Sequence, residues 1–129
     1  SRVGIARADR LGDPWTSLDD PFPIRPKSWD NWHLSTGPIC QLPGADPVMF
    51  YNGATLDARW RIGWISFSPY FSAVTGRGIE PLILPPPPED RAKTDIAFAA
   101  STIIENDMIS LYFSIEDRIL RRARVRYYA

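Results

Sequence analysis

The sequence holds a single cysteine and a single histidine. Cys40 alone cannot close an intrachain disulfide, so the fold does not depend on an oxidising compartment. His33 and Cys40 make no zinc-ligand set, and one histidine without a serine-hydrolase signature makes no triad, so no metal and no cofactor is expected. Neither sign of charge is in excess, because fifteen Lys and Arg balance fifteen Asp and Glu. That removes the electrostatic case for a nucleic-acid or membrane-surface partner and favours a neutral one. Long apolar runs are missing as well. Nothing approaches the ~20 residues of a membrane span, and Ser1-Arg2-Val3-Gly4-Ile5-Ala6-Arg7 lacks the apolar stretch of a signal peptide, so the sequence carries no visible address. Room for helices is scarce, since thirteen prolines and eight glycines interrupt the chain at short intervals.

Aromatic and β-branched residues are plentiful. Five Trp, five Tyr and six Phe stand in a chain of 129 residues, enough for one domain, 1–129, with its own core. The stretches between breakers read as strands: Val48-Met49-Phe50-Tyr51, Arg61 to Phe67, Ile96-Ala97-Phe98, Ser101 to Ile104, and Ile109 to Phe113. The best helical segment, Glu116 to Arg126, is better explained as a strand, because it belongs to a repeat. Arg2-Val3-Gly4-Ile5-Ala6 recurs as Arg61-Ile62-Gly63-Trp64-Ile65, about sixty positions on. Pro21 to Pro26 answers Pro81 to Pro86, and Tyr51-Asn52-Gly53 with Asp57 answers Tyr112-Phe113-Ser114 with Asp117.

Each unit therefore predicts two apolar strands, a turn carrying an Asp, a third strand, a short fourth strand and a Pro-bounded linker. Four antiparallel strands and a linker make one blade of a β-propeller. The expected fold is all-β, a partial β-propeller of about two to two-and-a-half four-stranded blades. Pro85 to Arg91 is expected to be a stiff polyproline connector between blades. A ring closes only with four or more blades, and the flanks of end blades are normally apolar. Self-association, most simply a homodimer, is the expected completion.

From Trp29 onward the order of phrases resembles the C-terminal part of glycoside hydrolase family 130. The phrases are Gly37-Pro38-Ile39, Tyr51-Asn52-Gly53, Arg77 with Pro81-Leu82-Ile83-Leu84-Pro85, Asp95-Ile96-Ala97-Phe98, and Leu111 to Asp117. The resemblance implies a five-bladed propeller that cleaves or phosphorolyses mannosides. Two departures accompany it: Asn52 stands where the family has a histidine that helps bind phosphate, and the blades carrying the family's catalytic Asp have no counterpart before Ser1. Enzymatic activity is therefore left open.

Glycoside cleavage needs a carboxylic acid at the leaving oxygen and a second carboxylate or phosphate at the anomeric carbon. Asp57 and Asp117, in equivalent turns of the two repeats, are the catalytic candidates, and by the resemblance Asp117 matches a pocket Asp. Each could instead simply close its turn. Trp29, Asp30 and Trp32, in the run Trp29-Asp30-Asn31-Trp32-His33, suit a sugar face, because indole stacks on pyranose C–H surfaces and Asp or Asn binds paired hydroxyls. The opposing expectation is that a Trp ring packs between blades. Tyr51, Asn52 and Arg61 complete the substrate-binding candidates. Arg118, Arg121, Arg122, Arg124 and Arg126 read as a charged edge strand. The expectation for function is a glycosidase-like module that binds or acts on glycans. Its alternatives are an oligomeric lectin-like module and a self-assembling propeller fragment without chemistry.

Overall fold

The computed structural model describes residues 1–87 and 95–128, and among these it contains ten strands and no helix. They are β1 Ala6–Arg7, β2 Thr16–Ser17, β3 His33–Ser35, β4 Ile39–Cys40, β5 Val48–Ala54, β6 Trp60–Phe67, β7 Val74–Arg77, β8 Ala97–Glu105, β9 Met108–Ile115 and β10 Ile119–Val125. The five strands read between breakers are present, and so is the strand expected within Glu116 to Arg126. Ala97-Phe98 and Ser101 to Ile104 belong to one strand, β8, whose register against β9 shifts between Ala99 and Ser101, while Ile96 just before it bridges to Trp60. Such a bulge is why they read as two segments. Of the expected connector, Pro85 to Pro87 run as irregular chain, while Pro88 to Arg91 lie outside the described residues.

The first blade is antiparallel throughout. β3 and β4 pair with the two ends of β5 (Leu34 opposite Gly53, Ile39 opposite Met49) and act as one interrupted first strand, followed by β5, β6 and β7. The interruption falls at Gly37-Pro38. Phe50 N–H donates to Pro38 O at 3.0 Å, and a Cβ at Gly37 would lie 1.8 Å from Phe50 O, so only glycine lets the chain pass there. The second blade, β8–β9–β10, is antiparallel with three strands, and β1–β2 forms a separate pair before the first blade. The architecture is a partial propeller.

The repeat survives in strand order: β6 and β10 begin about sixty positions apart, each after a hairpin turn. Its N-terminal copy needs correction. Of Arg2 to Ala6, matched to a full strand in β6, only Ala6 lies in a strand. The Arg2 guanidinium instead ties this stretch down by donating to Trp32 O at 2.8 Å and Ser1 O at 3.0 Å.

Burial follows the two-residue period of strands. Every residue of β5 is buried, because both faces of the first blade are covered. Val48 and Phe50 face the second blade, in a cluster with Ala97, Ala99, Ile109, Leu111, Phe113 and Ile115. Met49 and Tyr51 face the N-terminal segment, with Val3, Phe22, Leu34, Ile65 and Phe67. The alternation leaves Ser110, Tyr112 and Ser114 of β9, with Arg122 and Arg124 paired opposite Tyr112 and Ser110, on the flank facing away from the first blade. That flank is mixed, because Leu120, opposite Ser114, and Ile103, opposite Ser110, lie on it and are exposed.

Candidate functional site

The two candidate catalytic carboxylates stand in corresponding turns: Asp57 in the β5–β6 connection and Asp117 in the β9–β10 connection. Asp57 is exposed. It accepts a hydrogen bond from Thr55 Oγ1, and its Oδ2 lies 3.3 Å from Arg59 Nε. The Thr55 hydrogen bond, aided by the nearby arginines, holds its carboxyl below the usual range. At neutral pH Asp57 is therefore a carboxylate, able to accept hydroxyl protons or act as a base but poorly suited to give a proton. Asp117 is exposed with φ +53°, next to Glu116 at φ +54°. Aspartate is among the few residues that tolerate this left-handed geometry.

Trp32 is about half exposed (48%), and it lines an open cleft of ≈ 630 Å³ with Ile24, Pro26, Asn31, Thr55, Leu56 and Asp57. An indole, a carboxamide and a carboxylate thus converge at the turn end of the first blade. Beside them His33 stacks on Trp60 (centroids 5.7 Å apart, planes at 23°), and Trp60 meets Phe98 of the second blade edge-on at 5.3 Å. Trp60 and Phe98 escaped the sequence reading because each sits inside an apolar strand pattern that explains it without a site.

Of the remaining substrate-binding candidates, Asp30, Tyr51 and Asn52 are fully buried, while Trp29 and Arg61 are partly buried and Trp29 lines a second open cleft of ≈ 750 Å³ with Arg25, Ile79 and Glu80. Asp30 is fully buried. Its carboxylate accepts from Arg25 Nε at 3.1 Å and Nη2 at 2.9 Å, from Arg77 Nη2 at 2.9 Å and from Tyr51 OH at 2.7 Å. Burial alone would raise its pKa, but the hydrogen bonds from Arg25 and Tyr51 and the two guanidinium charges outweigh that and hold it below the usual range. Tyr51, also fully buried, is pushed up to about 12, chiefly by burial. Trp29 lies parallel to Tyr51 (5.6 Å, 21°) and covers two glycines: a Cβ at Gly53 or Gly63 would come within 2.8 Å of its ring. Its Nε1 donates to Ile79 O at 3.1 Å. Trp29 is thus the ring that packs, and Trp32 the one that remains open. Arg25, a member of this network, was not singled out from the sequence, although its spacing to Asp30 is short.

Asn52 is fully buried as well. Its Nδ2 donates to Thr36 O at 3.2 Å and its Oδ1 accepts from Ala99 N–H at 2.8 Å, joining the first blade to the second. Arg61 is committed to Asp95, Nη2 to Oδ2 at 2.9 Å, and through Asp95 to Arg59 at 3.7 Å. These residues hold the turn end in shape; Asp30, Tyr51 and Asn52 present no surface to a ligand. No cluster of three or more metal-ligating side chains occurs among the described residues.

No family model matches the sequence, and no curated protein matches it. Solved structures match its fold. A β-1,2-mannobiose phosphorylase from Listeria innocua, in complex with β-1,2-mannobiose, superposes with a TM-score of 0.79 at 21% identity, over 95% of this chain and 35% of its own. A glycosyl hydrolase from Bacteroides ovatus gives 0.75 at 19% identity, over 97% of this chain and 40% of its own. A structure from the glycoside hydrolase family 130 of mannoside phosphorylases, which contains hydrolases that target β-1,2-mannosidic linkages in Candida mannan, gives 0.76 at 20%, over 97% and 40%. The chain thus has the fold of a part of such propeller proteins, as the order of its phrases implied, and spans about two-fifths or less of their length.

Proposed function

We propose that this chain is a glycan-binding portion of a mannoside-type, glycosidase-like propeller, and that it contacts the sugar through the cleft between Trp32 and Asp57. The carrying observation is that cleft itself: an open indole beside Asn31 and an ionised Asp57, at the end of the blade where both hairpin turns lie. A pyranose can stack on the indole while its hydroxyls donate to the carboxylate. The fold shared with a phosphorylase that holds β-1,2-mannobiose supports mannosides as the ligand class.

Binding rather than turnover is the share of the function that these residues supply. A cleaving pair needs one carboxyl kept protonated. Asp57 is held ionised by Thr55 and the arginines, and Asp117 sits in a turn whose backbone geometry accounts for it. Phosphorolysis is disfavoured by the burial of Asn52 between Thr36 and Ala99, out of reach of a phosphate.

The test is calorimetric titration of the chain with β-1,2-mannobiose, beside an assay for its hydrolysis and phosphorolysis. Measurable binding without turnover is expected. Trp32→Ala should weaken it about tenfold or more, the loss of a stacked ring and its buried apolar area, with an unchanged unfolding midpoint. Asp57→Asn should weaken it less and Asp117→Asn not at all. Binding indifferent to Trp32→Ala, or no binding at millimolar sugar, sinks the proposal.

A further inference from the structure

The second cleft, ≈ 750 Å³, lies between the segment from Arg25 to Trp29 and Ile79-Glu80. Pro26 lines this cleft and the Trp32 cleft alike, so the two adjoin. They stand at different margins of one blade end. Asn31 and Trp32 precede β3, which opens the first strand of the blade, whereas Ile79 and Glu80 follow β7, its fourth strand.

The walls of the second cleft are tied together by the network around Asp30. Arg25, fixed on the Asp30 carboxylate, donates from Nη1 to Gly78 O at 2.8 Å and from Nη2 to Ile79 O at 3.4 Å. Trp29 Nε1 donates to the same Ile79 O at 3.1 Å. A cleft stitched from both sides needs little ordering when a ligand enters, so more of the contact energy is realised as affinity.

The groups that do not build this frame are suited to a sugar. Pro26 and Ile79 are exposed and Trp29, though packed over Gly53 and Gly63, is only partly buried, which leaves apolar surface for pyranose C–H faces. Lys27 and Glu80 are exposed, and neither has an ion pair among the described residues. The ammonium only donates and the carboxylate only accepts, and a hydroxyl answers both. A ligand carrying net charge would be attracted by one of them and repelled by the other, a conflict that a neutral polyol avoids.

We propose that this cleft is a second sugar subsite, and that the two clefts together take a β-1,2-linked manno-oligosaccharide of more than two units, laid over Pro26 from the first strand of the blade towards the fourth. The proposal rests on the Trp32 cleft being a mannoside site. The disaccharide is held there, and only a longer chain reaches Lys27 and Glu80.

The test is calorimetric titration with β-1,2-mannobiose and with β-1,2-mannotetraose, while the amide shifts of the chain are followed with each sugar. The tetraose should bind about tenfold or more tighter, through the added hydrogen bonds to charged groups, and it alone should shift the amides of Ser28 and Glu80. Lys27→Ala with Glu80→Ala, a change of two exposed side chains outside the Trp32 cleft, should remove that gain while mannobiose affinity and the unfolding midpoint stay unchanged. A longer sugar also offers more binding registers to the first cleft, and that advantage would survive the double variant. Equal affinity for the two sugars, or a gain that persists in the double variant, therefore overturns the second subsite and leaves the Trp32 cleft standing. No binding of either sugar overturns both.

Discussion

Replacing Asp30 by asparagine keeps the shape of the side chain and removes its charge. In the native fold that charge is fully buried and answers two guanidiniums, Arg25 with a side chain 25% exposed and Arg77 with one 12% exposed, while Tyr51 donates to the same oxygen. With asparagine present, two positive groups remain close together with no counter-charge, and some N–H groups lose their acceptor. Breaking a buried ion pair from one side costs about 3–5 kcal/mol. Because Arg25 retains some contact with water, the lower end applies, about 3 kcal/mol. With a urea slope of about 1.5 kcal/mol/M, the unfolding midpoint should fall by about 2 M at neutral pH. The variant should also lose part of the acid sensitivity of the parent. The folded pKa of Asp30 is depressed, so its contribution is present above the unfolded value of about 3.9 and is lost as pH falls through the lower folded value. A cost below about 1 kcal/mol would refute the buried-network account. So would a loss of sugar affinity at unchanged stability, which would return Asp30 to the binding site.

Two further perturbations probe the same face of the first blade. Tyr51 titrates at about 12 instead of the ordinary value near 10, so the folded state keeps its proton where the unfolded chain has lost it; stability should be steady below pH 10 and decline as pH rises to about 12, and Tyr51→Phe should flatten that decline in pH-dependent urea unfolding. Gly63→Ala would place a Cβ 2.7 Å from the Trp29 ring and 3.0 Å from Tyr51, a destabilisation of about 1–3 kcal/mol after overpacking, seen as a lowered thermal midpoint; an unchanged midpoint would mean that the Trp29 ring can move aside.

The strands were legible because their signals are local. β5, β6, β9 and β10 each carry several apolar or β-branched residues between breakers, and the β8–β9 turn carries Asn106-Asp107 where the backbone turns left-handed, although Ala58, Phe71 and Glu116 take that geometry in the other hairpins. The blade plan was legible because it repeats, and the phrase order from Gly37-Pro38 to Asp117 pointed to the fold that the solved structures match. What failed was the N-terminal copy. Arg2 to Ala6 has the composition of β6 but lacks strand neighbours along its length, and pairing, unlike composition, is supplied by distant chain.

The site was legible in part for a reason that can be stated residue by residue. The residue types of Trp29-Asp30-Asn31-Trp32-His33 suit a sugar face, with a Trp ring packed between blades as the opposing expectation, and a short irregular segment turns successive side chains to different sides. Trp32 points to the open cleft, Asp30 into the interior, and Trp29 onto the gap left by Gly53 and Gly63. A lone buried aspartate is unstable without cations, and one of its partners, Arg25, lies close enough in sequence for the pair to be suspected. The other, Arg77, lies in β7 and reaches Asp30 only after three strands of the blade have formed between them. Its role is a product of topology, which is why the run's most acidic residue reads as a ligand in the sequence and serves as the anchor of the first blade in the fold.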